Sequence, residues 1–182
     1  MKILIVIGAL FLSAHPGLQK TKYYTKAAQI SFYSSTSFEN IEAHNKAAVA
    51  VWDIASGQID FSVLIKGFEF EKALMKEHFN ENYLESDKYP KAGFKGKLNK
   101  AVSLETDGTQ NLTATGELTI HGITKKITAP VSVSVKQGKL SATSVFTIAP
   151  EDYGIKIPAV VRNNINKEIQ IKINAANFIA SN

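Results

Sequence analysis

The chain has 182 residues, 45% hydrophobic and 20% charged, which is ordinary usage for one globular domain able to bury a core and excludes disorder as its theme. Cysteine is absent, so the protein relies on neither disulfides nor a cysteine-linked lipid anchor. The formal charge of +5 and pI near 9.3 come from lysines scattered among acids, and Arg162 is the sole arginine; because arginine is the usual reader of guanine edges, a solvated basic surface is the better reading and nucleic acid is not an expected partner.

In chain order, the first segment is "MKILIVIGALFLSAHPG", with Lys2 ahead of an apolar run over residues 3–12 and then small and turn-forming residues. This is the three-part form of a secretory signal peptide, and the run is too short to span a bilayer. Residues 1–19 are therefore expected to be a signal peptide and 20–182 one domain, periplasmic or secreted, with the mature start between Ser13 and Lys22. Short runs of alternating apolar and polar residues follow, divided by Gly, Pro and Asn. They predict strands over 28–36, 46–53 and 57–66, with Ile30 and Phe32, then Ile59, Phe61, Val63 and Ile65, on the apolar faces.

The rhythm changes over 71–86, "EKALMKEHFNENYLES", where Met75, Phe79 and Tyr83 recur at i, i+4 and i+8 and predict an amphipathic helix. Its acids Glu77 and Glu81, like Glu69 and Glu71 before it, are read as solvated, since acid/base work needs two carboxyl groups around a reactive centre. Strands resume over 91–98, 111–120, 124–136, 139–148 and 167–178. Their inward sets are Leu112, Ala114, Leu118 and Ile120; Ile127, Val131 and Val133; Leu140, Phe146 and Ile148; and Ile169, Ile171 and Ile173. "VKQGKL" places Gln137-Gly138 between two of these strands, and "HGI" places Gly122 where a tight turn can use a positive φ.

Eight antiparallel strands with one apolar face close into a barrel or pair into a sandwich. The outward phase of Thr115, Glu117 and Thr119 continues into His121, which reads as a hairpin corner with a structural or turn hydrogen-bonding role, a ligand contact being the alternative. No HExxH, GxSxG or P-loop pattern is present in the sequence. An eight-stranded barrel either fills with its own side chains or holds one small ligand. Here Phe32, Phe61, Phe94 and Phe146 are interspersed with Ala114, Gly116, Ala129 and Ala142, which suits a narrow apolar bore, with a solid core as the alternative.

The segments "HFNENYLESDKYPKAGFKGKL", "GELTIHGITKKITAPVSV" and "SVFTIAPEDYGIKIP" together resemble the YceI-like family of exported lipid-binding proteins, over about residues 24–175. The most specific element is "LTIHGITK"; Tyr89 before Pro90, and Phe94 shortly after, also fit. The resemblance implies an all-β, single antiparallel, lipocalin-like elongated barrel with a helix beside it, an apolar tunnel for an isoprenoid or other long-chain amphiphile, and no catalysis, metal or cofactor. It also leaves a homodimer open. The opening "AQISFYSSTSFENIEAHN" lacks the His-Ser start of many relatives, so no contact is carried over to that end.

The expected function is that of an exported binding protein holding a long-chain lipid or isoprenoid for transport, storage or sensing. The alternative is a protein-interaction module with a filled core. Ile30, Phe32, Phe61, Val63, Ile65, Phe94, Leu118, Ile120, Val131, Val133, Phe146, Ile169 and Ile171 are the candidate ligand-binding residues of the interior. The long connection "EDYGIKIPAVVRNNINKE" puts Tyr153 and Arg162 forward as mouth or head-group contacts, with a surface salt bridge as the alternative for Arg162. An outer-membrane barrel would reverse the two faces of each strand, so no stable membrane insertion is expected.

Overall fold

The computed structural model describes residues 21–181; the expected signal peptide lies outside them. The described residues form ten strands: β1 (Lys22–Ser35), β2 (Asn40–Asp53), β3 (Gln58–Leu64), β4 (Glu69–Phe70), β5 (Lys91–Leu98), β6 (Gly108–Ile120), β7 (Ile123–Lys136), β8 (Lys139–Ile148), β9 (Ile169–Ala175) and β10 (Ile179–Ala180). Eight of them pair antiparallel in the ring β1-β2-β3-β5-β6-β7-β8-β9, and β9 returns to β1 from Gln29 opposite Asn174 to Tyr33 opposite Gln170. The sheet closes into the expected eight-stranded barrel, which leaves the long strands no free edge. The short strands β4 and β10 pair with β2 and β1.

The two ends of the barrel differ in how the strands are joined. At the base, β2 turns into β3 and β7 into β8, and residues 99–107 link β5 to β6. At the mouth, β1–β2 and β6–β7 turn tightly, but residues 65–90 and 149–168 make two long excursions over the opening. Both two-residue hairpins place two residues at positive φ, His121 (51°) with Gly122 (74°), and Gln137 (51°) with Gly138 (70°). These are the primed turns whose twist matches the flanking strands, as the sequence leads one to expect.

Strands β1 and β2 begin six residues earlier than the alternation predicts. Register shifts between Thr25 and Ala28 and between Ala28 and Ile30 break the phase of β1. On β2 the buried set passes from Ala43 and Asn45 to Ala48, Ala50 and Trp52. Asn45 is the reason that this bulge holds: 2% exposed, it donates from Nδ2 to the Leu64 carbonyl at 3.0 Å and accepts from the Ala47 N–H at 2.9 Å. An inward polar residue and a three-residue step conceal the strand from a period-two reading. The short strands β4 and β10 are likewise additions.

The helix is shorter than the periodicity predicts. Helix α1 runs from Ala73 to His78 and continues as a wider π turn over Phe79–Tyr83. Asn80 accounts for the change, since its Nδ2 donates to the Lys76 carbonyl at 2.8 Å, and Leu84 N–H then reaches back to Phe79. Met75, Phe79 and Tyr83 still share the half-buried face.

Three clusters make the core. The base is solid, with Trp52, Leu98, Val102, Leu112, Val133, Val135 and Leu140 packed together. A second cluster joins Ile30, Phe61, Val63 and Phe68 to the alanines of β1 and β2. A third, beneath the mouth excursions, holds Ile65, Leu84, Leu118, Tyr153 and Ile155. The Phe94 ring packs against all three. It can do so because its strand neighbour is Gly96, where any Cβ would collide with that ring.

Candidate functional site

The barrel is solid at its base and hollow above it. Two apolar chambers lie along the bore, a lower one of about 130 Å³ and an upper one of about 250 Å³. Ile30, Val63, Ala92, Ile120 and Ile171 line both, so the chambers meet at a waist formed by β1, β3, β5, β6 and β9. For scale, a cavity of roughly 150 Å³ lined by Leu, Ile and Phe side chains accommodates benzene.

Phe61, Phe94, Leu118, Val131 and Phe146 wall the lower chamber, and Ala114, Ala129 and Ala142 supply the space between them. Trp52 also lines it, with its ring edge-on to Phe178 at 6.2 Å and its Nε1 without a hydrogen-bond partner among the described residues. Phe32, Ile65 and Ile169 line the upper chamber, where Phe32, Phe68, Phe70 and Phe79 form an aromatic wall. Phe79 lies 5.0 to 5.5 Å from each of the other three rings. Stacked, edge and tilted contacts of this kind add to what burial alone supplies.

Of the thirteen interior residues expected from the sequence, twelve line a chamber. Val133 does not; it is 1% exposed and packs in the solid base, because the loop over 99–107 folds Val102 into that end of the barrel. Gly116 is no gap in the wall either. It stands opposite Gly96, and a Cβ there would collide with the backbone of Lys95.

The mouth residues are arranged differently from the expectation. Tyr153 is 2% exposed and belongs to the cluster beneath the mouth, so its ring lines neither chamber. Burial, with the charge of Asp152 adding to it, pushes its phenol pKa above the ordinary 10.0, and burial does the same to Tyr83. Arg162 is exposed on the short 3-10 helix Ala159–Asn164, whose Val161 and Asn164 face the upper chamber instead. The polar residues at that chamber are Ser34, Glu39, His78, Tyr83 and Asn164.

Two clasps hold the excursions over the mouth. At the β1–β2 turn, Glu39 accepts from Lys72 Nζ at 3.1 Å and from Asn164 Nδ2 at 3.3 Å, so one carboxylate grips both excursions. The hydrogen bond from Lys72, then that from Asn164, hold its carboxyl below the ordinary 4.5. At the β6–β7 turn, His121 Nδ1 lies 3.1 Å from the Tyr153 carbonyl, and a carbonyl only accepts, so Nδ1 carries its hydrogen there. Nε2 lies 2.7 Å from Glu85 Oε2, and the Tyr89 ring stands edge-on at 4.6 Å. His121 is therefore a turn residue with a structural hydrogen-bonding role, tying both excursions to the opposite side of the barrel.

Sequence reasoning missed Glu39 and Asn164, which sit in a turn and a long connection without periodicity, and Ser34, a polar residue on β1 in the inward phase of Ile30 and Phe32. It also passed over Phe68 and Phe70. In "GFEFE" the acids drew attention, whereas the alternation itself marks the two phenylalanines as the inward pair.

Comparison with known proteins places the architecture. The chain resembles a polyisoprenoid-binding domain from Saccharophagus degradans implicated in plant cell wall breakdown, with a TM-score of 0.74 at 12% identity over 90% of this chain and 100% of that one. It resembles BcnA of Burkholderia cenocepacia with a TM-score of 0.68 at 19% identity, over 85% and 96% of the two chains. A Campylobacter jejuni YceI protein superposes with a TM-score of 0.53 at 17% identity, over 100% and 94%. At these identities the likeness is one of fold. No curated protein matches the sequence significantly. The profile of the YceI-like domain matches residues 22–176, nearly the whole barrel, and the chain belongs to the YceI-like domain family.

Proposed function

We propose that this protein binds one long-chain apolar ligand, an isoprenoid or a fatty-chain lipid, along the bore, and that it does so after export to the periplasm or beyond the cell. The observation that carries the reading is the pair of apolar chambers meeting at a shared waist. A filled barrel, suited to a protein-interaction role, leaves no such space. The polyisoprenoid-binding domain of Saccharophagus degradans, which shares the fold, supports an isoprenoid over a compact ligand, and the pattern of residues 1–19 supports export.

Binding, and not catalysis, suits walls made of hydrocarbon. Each buried CH₂ contributes about 0.8 kcal/mol, so ten of them supply roughly 8 kcal/mol before the cost of association. Specificity then rests on length and shape, as befits a carrier, store or sensor. The test is mass spectrometry of an organic extract from protein purified without detergent from its native compartment. One long-chain species near one per chain is the expected result. An empty extract, together with failure to bind added geranylgeraniol, overturns the reading.

A further inference from the structure

The rim of the upper chamber carries a specific hydrogen-bonding pattern. Ser34 is 2% exposed, and its Oγ accepts the Asn166 N–H at 2.8 Å. Its hydroxyl hydrogen meets no acceptor among the described residues, and a buried hydrogen of this kind calls for one. Five residues on, in the same hairpin, Glu39 is 25% exposed and takes one hydrogen bond on each oxygen. A carboxylate oxygen has two lone pairs, so each can accept again.

Glu39 is the one carboxylate among the residues lining the chamber. Neither lysine nor arginine is among the residues lining the chamber. Lys72 reaches Glu39 with 62% of its side chain exposed, and Arg162 is exposed too. The lower chamber holds no carboxylate to pair with a donor, its polar wall groups being Thr143, Ser144 and the Trp52 Nε1–H.

We propose that Ser34 and Glu39 form a head-group site for a neutral group that both accepts and donates, a hydroxyl or a primary amide, and that this site turns away phosphate and carboxylate. The head accepts from Ser34 Oγ–H and donates to Glu39, while the tail runs through the waist into the lower chamber. An anion there meets the Glu39 carboxylate, whose one counter-ion, Lys72, is already bonded to it and stands largely in solvent, and like-charge juxtaposition is a strong means of rejection. This rests on the reading of the barrel as a ligand container and adds the class of head group.

The test compares geranylgeraniol, geranylgeranyl monophosphate and the headless hydrocarbon of the same chain, by displacement of a fluorescent apolar probe at neutral pH. The alcohol is expected to bind at least as tightly as the hydrocarbon, and the phosphate at least about tenfold more weakly than the alcohol. Glu39→Gln keeps an acceptor but removes the charge, and should bring the phosphate to within about threefold of the alcohol. Lys72→Met loosens the same clasp while leaving the carboxylate without its counter-ion, so it should widen the gap. Equal affinity for phosphate and alcohol, an alcohol weaker than the hydrocarbon, or two variants that shift the ratio in the same direction would each overturn the proposal while leaving the container intact. If none of the three probes binds, the container reading falls and this one with it.

Discussion

At the scale of single residues, the two hairpin glycines offer a matched comparison. Gly122 and Gly138 have nearly the same φ, 74° and 70°, yet a Cβ at Gly122 would lie 2.5 Å from Tyr89 Cε1 and one at Gly138 would meet nothing within 4 Å. Gly138→Ala therefore costs only the left-handed backbone penalty, about 1 kcal/mol. Gly122→Ala adds displacement of the Tyr89 ring that packs on His121, and is expected to cost about 2–3 kcal/mol. Guanidinium unfolding of the two variants measures the difference, and equal costs would mean that Tyr89 yields freely. The conformational need for glycine at both turns was legible in "HGI" and "KQG". The ring above one of them was not, because Tyr89 arrives from a segment thirty-odd residues away in the chain.

At the scale of elements, the mouth excursions depend on the clasps that join them to the barrel. Glu39 links Lys72, the residue before α1, to Asn164 at the end of the 3-10 helix Ala159–Asn164. Its carboxyl pKa is lowered in the folded protein, so the sign is that of a group which stabilises when ionised. The contribution is fully present above the ordinary 4.5 and is lost as the pH falls through the lowered value. Acidification below 4.5 should therefore raise amide hydrogen exchange over 73–83 and 159–164 before it affects β6 and β7, and Glu39→Gln should show the faster exchange already at neutral pH. Uniform exchange over the whole chain, or an unchanged profile in the variant, would count against the clasp.

The same scale shows why strands were easier to read than the cover. Alternation marks β5, β7 and β8 to within a residue, since a barrel strand needs one apolar and one polar face along its whole length. Bulged β1 and β2 lose that phase, β1 through its register shifts between Thr25 and Ile30 and β2 through the inward Asn45. The cover obeys no period at all: Glu39 and Asn164 act through contacts between a turn and a connection distant in sequence, which a single chain read in order does not disclose, whereas Ser34 is a polar residue in the inward phase of Ile30 and Phe32. Interior residues such as Phe32, Phe61 and Ile171 were legible because chamber walls are the apolar faces of strands.

At the scale of the whole molecule, the β1–β2 and β6–β7 turns lie four strands apart in a ring of eight, so the Glu39 and His121 clasps secure the cover from opposite sides. Below it, the two chambers set a length rule for the ligand. A short chain occupies the upper chamber alone, whereas a longer one must pass the waist to reach the lower chamber, where the chain's single tryptophan stands. In a series of isoprenoid alcohols of rising length, Trp52 emission should stay constant for short members and change once the tail passes Ile30, Val63 and Ile171. Ala142→Leu places a larger side chain in the lower chamber and should weaken long members by about tenfold or more while leaving short ones within about twofold. Loss of affinity spread evenly over all lengths would mean that the variant disturbs the barrel as a whole. A length-dependent loss, coincident with the onset of the Trp52 change, would place the tail in the lower chamber.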